Sequence, residues 1–174
     1  MSPLFTVPEA ELTPEYIPLP TGHYDADFVG AEVVGNENGW RAIAPTFENF
    51  ALSDGSNTVK ATHKGREIEV QLRTRRKTTR FTVESHSAKA VEIGGRDIIK
   101  LADALGVATR EDGSVSVAGD TPEEIVDTLN AARGKRVRVS IRLQPRKRNK
   151  EVVVGDDGQP ILDDEVVRVW QPGV

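Results

Sequence analysis

The sequence predicts a mainly β domain with a helical insert. Most of the chain alternates apolar and polar residues with a period of two, and the period changes to that of a helix in two stretches past the middle of the chain. A chain of 174 residues fits one domain with an extended arm, and it can bury a core without disulfide bonds. We therefore expect an arm at residues 1–20 and a single domain at residues 21–174, with flexible loops near residues 106–120 and 147–164.

The arm is indicated by five prolines between Pro3 and Pro20. Because proline fixes φ and removes a backbone donor, this segment is expected to be extended and to stay out of the core. Alternating segments then predict the first strands, and Pro45 indicates an edge position or a bulge in the second of them. These strands are expected at residues 22–34 and 40–52, in a hairpin of residues 59–63 with 67–73, and in a short strand at residues 80–84.

Two helices are predicted between these strands and the last two. Apolar residues of the segment Asp97–Leu105 recur at helical spacing, and Gly106 is a typical C-terminal stop. The preceding Gly94-Gly95 pair is interpreted as a turn. The second helix is expected to begin at Thr121-Pro122, where threonine can cap the helix and Glu124 completes a capping box.

The last two strands are expected at Arg136–Leu143 and Val166–Gln171. In the first of them every second residue is apolar, so one face is buried and the other is exposed. In the second, Val167 and Val169 are expected to share one face, and Arg168 and Trp170 the opposite face.

This order of about three strands, a helical insert and two strands is typical of an OB-like five-stranded Greek-key barrel with its helices between the third and fourth strands. A β-sandwich or another small barrel has similar patterning, so both stay open as alternatives. The face and loops of an OB barrel commonly bind oligonucleotides or oligosaccharides, but a fold alone does not determine a function. The function has to be inferred from the surface chemistry.

The basic residues are concentrated in two runs, although the net charge of the chain is -4. Nine lysines and arginines lie between Arg133 and Lys150, and five lie between Arg73 and Arg80, with no acidic residue in either run. Acidic residues collect in the arm and near residues 156–165. A run of charged residues is commonly just a solvated surface, but charges that a strand aligns on one face can form a binding site.

The strand Arg136–Leu143 provides that position. Its alternation places Arg136, Arg138 and Arg142 on one face, and alternate strand residues are roughly 6.6 to 7 Å apart, which is the scale of phosphate spacing in an extended single strand. Aligned like charges repel one another, so we interpret them as a binding stripe for a polyanion. The residues expected to bind nucleic acid are Arg73, Arg75, Arg76, Lys77, Arg80, Arg136, Arg138, Arg142, Arg146, Lys147 and Arg148, with Trp40 and Trp170.

The two tryptophans are the candidates for base stacking, which single-strand binders commonly use. Trp170 shares its predicted face with Arg168, and Trp40 follows a turn. Aromatic residues in strands are more often part of the core, where we place Phe28 and Phe47. The low aromatic content of 5% indicates binding that depends mainly on charge.

The run LADALGV, the capped helix TPEEIVDTLN and the strand GKRVRVSIRL resemble the second half of phage-encoded single-stranded DNA-binding proteins of the OB type. The opening LPTGHYDADFVGAEVV is similar to their first strand, so the resemblance covers about residues 18–170. It implies a sequence-nonspecific protein that coats single-stranded DNA in phage replication or recombination and meets the proteins of those processes. Many such binders end in an acidic tail, whereas the acidic stretch here precedes a strand. That stretch is alternatively a shield that competes with DNA.

Catalytic and metal chemistry finds little support in the sequence. There is no cysteine, and no nucleophile motif is present. His23, His63 and His86 lack metal-ligand spacing, and acidic pairs such as Asp25 with Asp27 are ordinary on an exposed strand face. We expect a protein that is not an enzyme, has no cofactor or metal, and is soluble in the host cytoplasm, since no signal peptide or membrane span is recognisable.

Two other functions stay open. The chain is alternatively a structural or interaction module, such as a virion or assembly protein, whose basic face docks an acidic partner. An RNA-binding function is distinguished from DNA binding only by recognition of the 2′-hydroxyl. A homo-oligomer is compatible with each of these functions.

Overall fold

The computed structural model describes residues 3–6 and 16–172, which are mainly β. The strands of the main sheet are β1 (Gly22–Gly35), β2 (Arg41–Leu52), β5 (Arg76–Thr78), β6 (Phe81–Glu84), β9 (Arg136–Pro145) and β12 (Leu162–Trp170). Three hairpins pair β3 (Thr58–His63) with β4 (Arg66–Gln71), β7 (Ala108–Glu111) with β8 (Ser114–Val117), and β10 (Lys147–Arg148) with β11 (Glu151–Val152). The helices are α1 (Ala88–Leu105) and α2 (Pro122–Asn130).

The main sheet is antiparallel and has the strand order β12-β9-β1-β2-β5, with β6 also paired to β2. Both helices lie between β6 and β9, so the expectation of a mainly β fold with a helical insert is confirmed. A closed barrel is not found, because β12 and β5 form no ladder with each other in the part of the chain that the structure describes. The sheet has six strands instead of the five that we expected.

The alternation of β1 and β9 builds the core as predicted. Tyr24 and Phe28 of β1 are buried, and they face the same interior as Val137, Val139 and Ile141 of β9, whose exposure is zero. Leu101, Ala102 and Leu105 of α1 complete this interior. The period-two pattern therefore identified the buried face correctly on both strands.

Pro45 lies inside the sheet, where we expected an edge or a bulge. It is buried in β2, which is paired on both sides. Its neighbours Ile43 and Thr46 pair with β6 and β5 respectively, so proline lies where β2 changes partner. The missing N–H thus falls at a break in the ladder.

Helix α1 begins at Ala88, nine residues before the predicted start, and it contains the Gly94-Gly95 pair that we interpreted as a turn. That interpretation is wrong. The Ser87 side chain caps the helix by accepting from Ala90 N at 3.2 Å. A Cβ on Gly94 would lie 1.9 Å from the carbonyl oxygen of Thr82 in β6, so glycine permits this close approach of helix and strand.

Several segments that we expected to lack regular structure form elements. The two predicted loops contain the β7–β8 and β10–β11 hairpins, and β5 lies in a segment for which we predicted no strand. The end of the arm also enters the core, since Leu19 is fully buried. The remainder of the arm prediction falls largely outside the described residues.

A buried carboxylate connects the two outer strands of the open sheet. Asp164 of β12 is 4% exposed and accepts hydrogen bonds from Lys77 Nζ of β5 at 2.5 Å, Tyr16 Oη at 2.5 Å and Leu19 N at 2.7 Å. These three donors satisfy a group that would otherwise be costly to bury. Side chains therefore hold together the edges that the backbone ladder leaves apart.

This contact shifts the ionisation of its partners. Burial raises the pKa of Tyr16, and its hydrogen bond to the Asp164 carboxylate raises it further. Burial alone would lower the pKa of Lys77, but the hydrogen bond and the charge of Asp164 outweigh it, so this pKa is raised. The lysine thus stays charged beside its carboxylate.

Replacing Asp164 with asparagine should destabilise the fold by about 3 kcal/mol, because Lys77 would keep a mostly buried charge without its partner. Urea unfolding measures this loss. The control is Glu67→Gln, which breaks the Lys60–Glu67 pair, whose side chains are 76% and 68% exposed, and should change stability little. An equal, small effect of both substitutions would contradict a structural role for Asp164.

Stability should also fall in alkaline solution. The pKa values of Tyr16, Tyr24 and Lys77 are all raised in the folded chain, that of Tyr24 to about 12 because of burial and the charge of Asp164. Their contribution is fully present below about pH 10, where the unfolded chain also keeps these protons, and it is lost as pH rises through the folded values. Urea unfolding at several pH values checks this, and constant or rising stability above about pH 10 would contradict it.

Candidate nucleic-acid interface

The outer face of β9 lies between β1 and β12, and the strand register arranges its side chains in rows. His23, Ser140 and Arg168 form one row across the three strands, because His23 and Arg168 both pair with Ser140. The next row contains Asp25, Arg138 and Trp170. The predicted arginine face therefore has carboxylates on one side and an aromatic residue on the other.

Two of the three arginines in the predicted stripe are neutralised within the chain. Arg138 Nε lies 2.9 Å from Asp25 Oδ1, and the two side chains are only 17% and 16% exposed. Arg136 Nη1 lies 3.0 Å from Asp27 Oδ1. Our interpretation that only a polyanion explains this alignment is wrong for this pair of arginines, because β1 supplies a carboxylate for each.

Arg142 differs from these two arginines. Its side chain is exposed, and within the described residues no carboxylate oxygen lies within 4.0 Å of its guanidinium group, although Glu165 pairs with it across the ladder. Arg168 likewise has no carboxylate within that distance in this part of the chain. Positive charge is therefore available at this end of β9 and of the neighbouring β12.

Trp170 lies beside these arginines. The guanidinium carbon of Arg168 is 5.2 Å from the centroid of its ring, and the His23 ring meets it edge-on at 5.1 Å with an interplanar angle of 79°. The indole is half-buried, so it keeps an accessible surface. These side chains border a shallow groove of about 640 Å³, which is lined by His23, Ser140, Arg142, Val167, Arg168 and Trp170.

A β-bulge in β12 changes which of its valines are buried. The register shifts between Val166 and Arg168, so Val167 is the extra residue and is 40% exposed. We expected Val167 and Val169 to share one face, and this is wrong, because Val169 is buried and Val167 is exposed. The bulge turns Val167 toward the groove.

Three further basic residues of the predicted set are tied to carboxylates. Lys77 binds the buried Asp164, as described above. Arg76 Nη1 lies 3.1 Å from Glu48, and Arg146 Nη2 lies 2.8 Å from Asp163. Since Asp163 belongs to the acidic stretch, this last contact is the kind that the shielding alternative requires.

Trp40 lies far from Trp170. It precedes Arg41, which pairs with Gly35 of β1, whereas the row of Trp170 meets β1 at Asp25. Ten strand residues separate these positions, which corresponds to about 30 Å. Trp40 instead donates from Nε1 to Thr82 at 3.2 Å and lies 5.9 Å from the guanidinium carbon of Arg80.

The other predicted basic residues are dispersed. Arg75 lies over the ring of Tyr16, with 5.0 Å between its guanidinium carbon and the ring centroid. Arg73, Lys147 and Arg148 are exposed, and none of them has a carboxylate within 4.0 Å in the described ranges. The two basic runs approach each other at β12, where Lys77 binds Asp164 and Arg146 binds the adjacent Asp163, so both of these charges are paired with carboxylates.

His23 and Arg168 were missing from the predicted site. The alternation of the last strand already placed Arg168 beside Trp170, so that signal was present in the sequence. His23 carried no such signal, because its position depends on the pairing of β1 with β9, two segments that are more than a hundred residues apart.

No protein-family model matches the chain, and no curated protein matches it. Across residues 3–6 and 16–172, no helix has both the length and the apolar character needed to cross a membrane.

Substitution of Arg138 should lower the free energy of unfolding, whereas substitution of Arg142 should not. Arg138→Gln should cost about 1–3 kcal/mol, because it leaves the half-buried Asp25 without its charge partner. Arg142→Gln is the matched control on the same strand face and should leave the free energy of unfolding almost unchanged. Urea unfolding distinguishes them, and a larger loss for Arg142→Gln would contradict the assignment.

Proposed function

We propose that this chain is a non-catalytic, sequence-nonspecific protein that binds single-stranded DNA in the groove beside Trp170. The observation that supports this most is the placement of Arg142 and Arg168, two arginines with no carboxylate within 4.0 Å in the described residues, next to an accessible indole. The site is therefore smaller than the sequence indicated, and Arg136 and Arg138 are not part of it.

The two arginines fit phosphate groups. A guanidinium group keeps its charge at any physiological pH and donates hydrogen bonds in a fork that matches phosphate oxygens. Among the residues that the structure describes, neither Arg142 nor Arg168 has a carboxylate partner that a ligand would have to displace, and the contact of Arg168 with the Trp170 ring leaves its charge in place for a phosphate. Such contacts recognise the backbone and carry no base information.

Trp170 fits the base of a single strand. Stacking on an aromatic ring is worth about 1–3 kcal/mol per base and tolerates every base, because each has a π-face. A base that is paired and stacked in a duplex cannot use this surface without being taken out of the helix. We therefore expect the site to bind single-stranded DNA in preference to duplex DNA.

The spacing of residues along β9 fits a contact with a short stretch of single-stranded DNA. Ser140 and Arg142 are alternate residues, so their positions are roughly 6.6 to 7 Å apart, which is close to the phosphate spacing of an extended strand. The groove lies on the outer face of the sheet and is shallow, which suits a strand that passes across it. The exposed Lys147 and Arg148 beyond the end of β9 would extend the contact.

An OB-like architecture is part of this proposal. The OB fold is a five-stranded, partly open Greek-key barrel. The open sheet with a helical insert, and the Lys77–Asp164 contact between its outer strands, support that arrangement. From the resemblance to phage single-stranded DNA-binding proteins, we propose that the protein acts in phage DNA replication or recombination and needs no cofactor.

Binding is measured by the fluorescence anisotropy of a labelled oligonucleotide titrated at several salt concentrations. For single strands, log affinity changes with log salt by about 0.7 for each neutralised phosphate, so Arg142→Gln with Arg168→Gln should reduce the slope by about 1.4 and weaken binding for all sequences alike. Arg80→Gln is the control at the far end of the sheet and should leave the slope unchanged. No binding by the unmodified chain at low salt would end the proposal and favour a module that docks an acidic protein.

The two tryptophans allow a second measurement on the same site. In the Trp40→Phe variant, Trp170 is the only tryptophan, and its fluorescence should be quenched when an oligonucleotide saturates the protein. In the Trp170→Phe variant, the emission of Trp40 should stay constant during the titration. The reverse result would move the interface to the opposite end of the sheet.

A further inference from the structure

Two apolar pairs on the described surface have no cover. Leu4 and Phe5 of the N-terminal segment are each 87% exposed, and Val152 and Val154 are 42% and 55% exposed. Single exposed apolar residues are common in proteins, whereas adjacent large ones form a patch of the kind that marks interaction sites.

Val152 is the last residue of β11, and Val154 forms an isolated bridge just beyond it. Between the two valines, Val153 N donates to the carbonyl oxygen of Arg146 at 2.7 Å, and Val153 O accepts from Ile161 N at 3.0 Å. Val153 is therefore held on both sides, and the alternation of a strand directs Val152 and Val154 to the same face.

Cross-strand partners complete this face. Val152 pairs with Lys147, and Val154 pairs with Pro160, so all four side chains share one side of the ladder. The turn between β10 and β11 places Asn149 and Lys150 at φ values of 52° and 67°. We name the surface formed by Lys147, Val152, Val154 and Pro160 the hairpin face. It is apolar along most of its length and basic at the turn.

The N-terminal segment has the complementary pattern. Leu4 and Phe5 are followed in the sequence by Glu9 and Glu11. Glu9 is four residues past Phe5, and Lys150 is four residues before Val154, so each apolar pair has a charged residue at the same sequence spacing and the two charges are opposite. The N-terminal segment and the hairpin face are therefore complementary in apolar character and in charge.

We propose that the N-terminal segment of one copy docks on the hairpin face of a second copy and so links copies of this chain. A second copy is the occupant that the exposures favour, because Leu4 and Phe5 stay uncovered by the described part of their own chain. The proposal uses none of the groove residues, and Lys147 is the residue that it shares with the proposed DNA contact.

Sedimentation velocity of the full chain without nucleic acid, over a range of concentrations, tests this link. The unmodified chain should associate reversibly, and more weakly at high salt because of the charge contact. The arm variant Leu4→Asp with Phe5→Asp and the hairpin variant Val152→Asp with Val154→Asp should each weaken association by roughly tenfold or more. The variant Ile93→Asp, which alters an exposed isoleucine of α1, is the matched control and should associate normally.

Mixing the two variants makes the test specific. The arm variant keeps an intact hairpin face and the hairpin variant keeps an intact arm, so the mixture should form a heterodimer although neither variant associates alone. Circular dichroism melting of each variant verifies that it is folded, and the arm variant changes only residues outside the core. If the hairpin variant does not fold, Lys147→Glu with Lys150→Glu replaces it, and its association should weaken and lose its salt dependence.

Three results would overturn the proposal. The first is an unmodified chain that is monomeric at every concentration, which would leave an acidic, apolar peptide from another protein as the occupant. The second is association that persists in either variant, and the third is a mixture that does not restore it. DNA binding in the groove is measured separately, so failure of one proposal does not affect the other.

Discussion

The antiparallel register between β1 and β9 is the constraint on which both the core and the candidate interface depend. It places Tyr24 opposite Val139 inside the sheet and Asp25 opposite Arg138 outside. A slip by one residue would expose the apolar set and bury the charges, so the core enforces the outer pairs. The same register places His23 next to Ser140, beyond the two β1 carboxylates, Asp25 and Asp27, that pair with arginines of β9. Charge is therefore cancelled along one half of β9 and left available along the other.

The buried Asp164 contact has a comparable role for the sheet as a whole. A twisted six-stranded sheet leaves two edges, and unpaired edges expose backbone groups that favour association with other chains. Here Lys77 and Asp164 connect these edges, and Tyr16 and Leu19 contribute further donors to the same carboxylate. Tyr16 and Leu19 thus help to hold together the two edges of the sheet that carries the groove.

Local pattern predicted the strands β1, β2 and β9 and the cap of α2, because alternation and capping are encoded by neighbouring residues. Local pattern gave a wrong prediction at Gly94, because glycine is needed there for the close approach of α1 to Thr82 and does not mark a turn. It was also wrong at Val167, because a bulge in β12 reverses the alternation of buried and exposed residues. The candidate site was predicted only in part. The alternation of β9 placed Arg138 on the outer face. That Asp25 neutralises it follows only from the pairing of β9 with the distant strand β1.

The most direct test of the proposed interface is a nuclear magnetic resonance titration of the isotope-labelled chain with a short oligothymidylate. Binding in the groove predicts a contiguous set of shifted resonances from His23, Ser140, Arg142 and Arg168, together with the indole N–H of Trp170. Shifts that cluster around Trp40, or resonances that stay unchanged at saturating oligonucleotide, would contradict it.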